Sequence, residues 1–313
     1  MRVFVAGATG AVGRRLVPML VAGGHAVTGM THSAGKADAI RASGAEAAVA
    51  DGLDRAAVMD AVARARPDAV IHQMTALSHI RGLKNFDSDF AVTNRLRAEG
   101  TDYLVEAARH AGARRVIAQS YGNWNYEPAG DRPKTEEDPL VAKPPARQTK
   151  SLEALRHLER SVTQAEGLVG IALRYGNLYG PGSGIGRGGV FPEMLRKRQF
   201  PIVGAGTGVW SFLHVDDAAS ANVAALERGE AGVYNVCDDE PAPVAVWLPE
   251  LARAVGAPPP RRIPVWLARL FVGEVGVSMM TRMRGASNAK AKRELRWTPR
   301  WRSWREGFRE GLG

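Results

Sequence analysis

"RVFVAGATGAVG", residues 2–13, runs from an apolar, β-branched and aromatic stretch straight into three evenly spaced glycines. The first part has strand composition. Beyond it, Val12, Leu16, Met19 and Leu20 recur at helical spacing. Gly7, Gly10 and Gly13 therefore sit at a strand-to-helix junction. Gly7 permits the tight turn, Gly10 lets backbone approach a pyrophosphate, and Gly13 allows close packing of helix on strand. The helix start supplies N–H groups and partial positive charge to phosphates. A glycine triplet alone can be a structural turn. At the first junction of an alternating chain it marks a dinucleotide site.

The chain does alternate. Strand-like runs at 25–30, 45–51, 68–73, 114–120 and 169–176 are separated by helical patterns near 35–42, from 53, at 88–111 and at 148–166. This order predicts an α/β fold, a Rossmann-type doubly wound parallel sheet with a smaller C-terminal substrate domain. The division expected is 1–175 for the dinucleotide-binding part and 176–313 mainly for substrate, with some later segments returning to the sheet.

The phosphate turn comprises Gly7, Thr9, Gly10, Ala11, Val12, Gly13 and Arg14. The second strand ends "GMTHSAGK" (29–36) without the acid that would hold a ribose 2′-hydroxyl. Arg14, His32, Ser33 and Lys36 are placed to receive a 2′-phosphate instead, which favours NADP(H), with NAD(H) possible. Gln73, Met74 and Thr75 after the fourth strand complete this candidate set.

Further motifs follow in order: "ADGLD" (50–54), "TNRLRAEGT" (93–101), "LRYGNLYGPG" (173–182), "FLHVDDAASA" (212–221) and "NAKAKRELRWTPRW" (288–301). With "GATGAVG" they make the chain similar to the extended short-chain dehydrogenase/reductases, the NAD-dependent epimerase/dehydratase family, over nearly its whole length. The resemblance implies a Rossmann domain, a second domain and a cleft between them. It also implies cofactor contacts from Asp51, Gly52, Asn94 and Tyr175. The implied chemistry uses a tyrosine acidified by a lysine four residues later, with a serine or threonine on the preceding strand end. A nearby ammonium lowers a phenol's pKa from about 10.

The chain departs from that pattern. If Lys150 is the lysine, Ala146 stands where the tyrosine belongs. Tyr121, one past Ser120, matches the serine position. The candidate catalytic set is therefore Tyr121, Lys150 and Ser120, with Tyr121 read either as a relocated acid or as a packing and substrate-binding residue. Trp210 occupies a position that faces a diphosphate in nucleotide-sugar members, and Trp124 lies in the loop after Tyr121. Tyr121, Trp124, Asn177 and Trp210 are the candidate substrate contacts, both tryptophans having a packing alternative. They suit a small organic substrate other than a nucleotide sugar.

The expected function is reduction or dehydrogenation of a carbonyl or related group. A non-redox cofactor-binding sensor, or an isomerase or lyase using the cofactor transiently, are the alternatives. The net charge of +10 is scattered, so no nucleic-acid partner is expected. The uncharged run 16–35 contains Pro18 and several glycines and fits helix, turn and strand; no membrane partner is expected. The apolar run 266–280 reads as an amphipathic helix. His72, His79, His110, His157 and His214 lack metal-ligand spacing with carboxylates, and Cys237 is the single cysteine, so no metal is expected. The start "MRVFVAG" suggests a cytoplasmic protein, with a homodimer possible through the long Rossmann helices.

Overall fold

The computed structural model describes residues 1–77 and 85–313; His79 lies outside them. The first half is β1 (Arg2–Ala6), α1 (Gly13–Ala22), β2 (Ala26–Thr31), α2 (Ala37–Ala42), β3 (Glu46–Val49), α3 (Arg55–Ala65), β4 (Ala69–His72), α4 (Phe86–Asp89), α5 (Ala91–His110), β5 (Arg115–Tyr121), α6 (Thr149–Thr163) and β6 (Val169–Tyr175). The second half is β7 (Asn177–Tyr179), α7 (Val190–Arg196), β8 (Ile202–Val203), β9 (Val209–Trp210), β10 (Phe212–His214), α8 (Val215–Glu227), β11 (Gly232–Val236), β12 (Ala242–Pro243), α9 (Val244–Ala254), β13 (Arg262–Ile263), α10 (Val265–Thr281), α11 (Ala289–Glu294) and α12 (Trp304–Glu310).

Seven parallel strands form the main sheet in the order β11-β6-β5-β4-β1-β2-β3. All four residues of β4 are buried, as expected for a strand covered on both faces. One face packs Leu16, Val17 and Leu20 of α1 with the alanines of α8. The other packs Val58 and Val62 of α3, Leu104 of α5 and Leu158 and Val162 of α6. Each such leucine or valine contributes about 2 kcal/mol by leaving water. The strand order reverses between β1 and β4, and in open α/β sheets the ligand crevice lies at that switch, beyond the carboxyl ends of the strands.

A second core gathers Trp210, Phe212, Trp247, Trp304 and Phe308. The closing segment is pinned by carboxylates: Asp217 accepts the N–H groups of Arg300 and Trp301, and Asp238 accepts that of Trp304. Segments α8, β11 and Trp297 pack with the sheet although they follow residue 176. The run 266–280 is not one continuous helix. Gly273 (φ 67°) breaks α10, leaving Trp266, Leu270 and Phe271 exposed before the kink and Val275, Met279 and Met280 buried after it.

Candidate functional site

The glycine turn closes as its spacing requires. Gly7 has φ 88°, and a Cβ there would stand 2.7 Å from the carbonyl carbon of Gln73. A Cβ on Gly13 would run into the Gly7 carbonyl oxygen. Gly10 is different: a Cβ there would meet only that oxygen, at 3.4 Å. The space above Gly10 at the start of α1 is a cradle that a side chain would fill, which fits a pyrophosphate.

At the end of β2, Thr31 Oγ1 lies 3.1 Å from Thr9 Oγ1 and accepts the Ser33 N–H at 3.3 Å. His32 and Lys36 are exposed beside them. Arg14 leans elsewhere: its Nη2 would be 2.6 Å from a Cβ on Gly182, so it lies against the loop that follows β7. Asp51 Oδ1 accepts the Leu53 N–H at 3.0 Å, and Met74 packs over Gly52.

Gln73 and Tyr175 of the expected cofactor set lie in one hydrogen-bonded network with Asn222. Gln73 Nε2 donates to Asn222 Oδ1 at 3.0 Å, the Tyr175 hydroxyl donates to Gln73 Oε1 at 3.3 Å, and Asn222 Nδ2 donates to the Tyr175 oxygen. All three residues are buried. Their side chains tie α8 to β6 and to the residue that follows β4.

Lys150 lies at the start of α6. It is exposed and lines an outer groove between α5 and α6, with Arg95, Glu99 and His157. The residue facing inward is its neighbour. Ser151 is fully buried, its hydroxyl donates to Asp87 Oδ1 at 2.6 Å, and it accepts from Asn94 Nδ2 at 2.9 Å. Asp87 also accepts the N–H groups of Lys150 (3.0 Å) and Ser151 (2.8 Å), placing a carboxylate on the N-terminus of α6. One turn on, the inward position is Leu155, also fully buried. The buried face of α6 thus carries Ser151, Leu152, Ala154, Leu155, Leu158, Glu159 and Val162, with neither phenol nor ammonium.

Ser120 is held in a buried network. Its hydroxyl donates to Glu159 Oε1 at 2.7 Å, and Arg174 clamps the same carboxylate through Nε and Nη2, each at 2.7 Å. Arg174 Nη1 donates to the Tyr126 oxygen at 2.8 Å, closing a buried network. Strand alternation turns Tyr121 to the opposite side. Its hydroxyl donates to Asn177 Oδ1 at 2.8 Å, and burial raises the phenol well above its usual pKa. Its ring lies 5.9 Å from that of Trp124, which meets Phe86 edge-on at 5.5 Å; Phe86 stacks on Phe90 at 4.1 Å. Trp210 does not join this wall. It is buried in the second core, Nε1 donating to the Met279 carbonyl at 2.9 Å and its ring 4.7 Å from Trp247.

Arg97 escaped the sequence reading. It is 4% exposed, and its Nε and Nη1 have no hydrogen-bond partner. Its charge acts on Tyr121 and on His72. The available signal was its spacing with Gly100, Thr101 and Leu104, which puts it on the buried face of α5. Ser161, His157 and Asp102 also cluster on the outer surface, yet both partners meet the same His157 nitrogen, Nε2. A relay needs both ring nitrogens, so this is a surface hydrogen-bond cluster.

The sequence model of the NAD dependent epimerase/dehydratase family matches residues 3–237. The chain is 47% identical over 310 residues to a 3-diazoavenalumate denitrifying reductase of a Streptomyces species, covering 98% of this chain and 99% of that one. It is 29% identical to a UDP-glucose 4-epimerase of Mycolicibacterium smegmatis, covering 96% and 94%. Among solved structures, the Thermus thermophilus UDP-glucose 4-epimerase in complex with NAD superposes with a TM-score of 0.75 at 26% identity, covering 100% of this chain and 98% of that one.

Proposed function

The chain belongs to the NAD dependent epimerase/dehydratase family, and on that premise we propose that it is a reductase that removes a diazo group from a small aromatic substrate as dinitrogen. The observation that carries this reading is Ala146, which stands four residues before Lys150 where the tyrosine of the resembled pattern belongs. Carbonyl reduction asks for a proton donor at the substrate oxygen, and this chain has none at that position. Replacing a diazonium group by hydrogen balances without one: hydride bonds to the arene, the carbon–nitrogen bond breaks, and dinitrogen leaves. The 47% identical relative, a denitrifying reductase, supports the same class.

The cradle above Gly10 and the Thr9–Thr31 corner fit a nicotinamide dinucleotide. When bound in reduced form, it supplies the hydride. We favour NADPH, because no acid closes the end of β2 and His32 and Lys36 are open to a 2′-phosphate. Tyr121 and Trp124, backed by Phe86 and Phe90, offer an aromatic wall for a flat substrate. We assign 1–175 to cofactor and most of 176–313 to the far side of the cleft, and infer a homodimer through the outer faces of α5 and α6.

The test is turnover of 4-carboxybenzenediazonium with NADPH or NADH. The reading predicts enzyme-dependent NADPH oxidation with arene as product, and weaker use of NADH. Oxidation no faster than in an enzyme-free blank sinks the activity, and equal affinity for the two cofactors sinks the NADPH preference. A monomer by light scattering removes the dimer.

A further inference from the structure

Arg97 lies under α5 with two guanidinium nitrogens unpaired, and among the described residues it has no ion-pair partner. Residues 78–84, outside the described set, contain no Asp or Glu. The chain therefore supplies no carboxylate for this buried cation. Burial pulls its pKa down to about 10, so it stays charged at neutral pH. A buried charge without a counter-ion is costly, and the cost is offset when a ligand brings the missing charge.

Position narrows the ligand. Arg97 follows Leu96, whose carbonyl takes the His72 Nε2–H at 3.2 Å, and α5 packs on β4 and β5, which puts the guanidinium by the last residues of those strands, His72 and Tyr121. The phosphate turn follows β1, and β5 is two strands away from it in the sheet, roughly 10 Å at normal strand spacing. The missing anion therefore belongs beside the aromatic wall and away from the pyrophosphate.

We propose that Arg97 anchors an anionic oxygen of the substrate, a carboxylate or a phenolate, next to Tyr121. The proposal rests on the reductase reading for its substrate, but its recognition chemistry is tested without turnover. Arg97 would bond the anion through Nε and an Nη nitrogen, the fork that suits a carboxylate. It fixes the substrate's orientation and selects against neutral analogues.

The experiment uses the full chain loaded with NADP+, wild type beside Arg97→Met and Arg97→Lys. Calorimetry compares benzoate with benzamide, and 4-nitrophenolate with nitrobenzene, so the two pairs separate carboxylate from phenolate. Wild type is expected to bind at least one anion about tenfold or more tighter than its neutral partner, in line with hydrogen bonds to charged groups. Arg97→Met should abolish that preference, and Arg97→Lys should keep part of it. NADPH affinity should stay within about twofold, since the anchor does not serve the cofactor. Arg97→Met replaces an unpaired charge by an apolar chain of similar length, which cores tolerate. With 4-carboxybenzenediazonium, its loss should fall on KM more than on kcat.

Equal wild-type binding of anions and neutral partners overturns the proposal. So does an equal loss for both classes in Arg97→Met, which marks a structural role. A tenfold fall in NADPH affinity overturns it too, by assigning the guanidinium to the cofactor. If diazonium turnover is absent while charge-selective binding depends on Arg97, the reductase reading fails and the anchor stands.

Discussion

The Tyr121 hydroxyl gives its proton to Oδ1 of Asn177, 2.8 Å away, joining the end of β5 to the start of β7. Asn177 Nδ2 in turn reaches the Ser211 carbonyl at 3.3 Å. The phenol thus braces β5 against β7, and burial holds its proton on. General acids work best with a pKa near the working pH. Tyr121→Phe should therefore lower kcat by no more than about threefold while raising KM, contrary to the tenfold or greater loss of an essential acid. Steady-state kinetics from pH 6 to 10 checks this; a large kcat loss with disappearance of an alkaline limb would restore the relocated-acid reading.

Lys150 stands on the outside of α6. Lys150→Ala should leave kcat/KM within about twofold, as exposed substitutions away from a site do. Asp87→Ala should be more damaging, because it removes the carboxylate that takes two N–H groups and the Ser151 hydroxyl at the helix start. Loss of such a cap costs about 1–2 kcal/mol, readable in urea unfolding. A tenfold activity loss in Lys150→Ala would contradict the placement.

The glycines separate folding from binding. Gly13→Ala forces a Cβ into the Gly7 carbonyl and should destabilise the fold. Gly10→Ala has room in the protein itself, its nearest contact being 3.4 Å. It should melt within a few degrees of wild type yet lose about tenfold or more in dinucleotide affinity, because the methyl takes cradle space. Unchanged affinity in Gly10→Ala would move the pyrophosphate elsewhere.

His72 makes stability acid-sensitive. Its ring is buried, Nε2 donating to the Leu96 carbonyl at 3.2 Å and Nδ1 accepting the Met74 N–H at 3.1 Å, an arrangement only the neutral form satisfies. Burial, aided by the Arg97 charge, lowers its pKa to about 4. From pH 6.5 down to about 4 the unfolded chain binds a proton that the folded chain refuses, so stability falls as pH falls. The stabilisation at stake is about 3 kcal/mol, present above pH 6.5. Urea titrations at pH 7.5 and 5 should show wild type losing more than His72→Gln; parallel losses would clear His72.

The phosphate turn was legible because its requirements are local: Gly7 needs φ 88°, and Gly13 leaves no room for a Cβ. The family motifs extended that reading along the sheet. The start of α6 was not legible. Neighbouring positions on a helix point about 100° apart, and what turns Ser151 inward is Asp87, 64 residues earlier. The two tryptophans looked equivalent in sequence, yet Trp210 is claimed by a carbonyl 69 residues away, at Met279. Arg97 was hidden among ordinary helix arginines, because its lack of a partner is a property of packing.

The proposed reduction needs no side-chain acid, because its products are arene and dinitrogen. The most direct measurement is the stoichiometry of 4-carboxybenzenediazonium turnover, followed by NADPH absorbance, gas mass spectrometry and a pH-stat together. One dinitrogen should be released for each NADPH oxidised, with no net proton taken up. Nitrogen retained in the product as an aryldiazene or arylhydrazine, with no dinitrogen released, would contradict it.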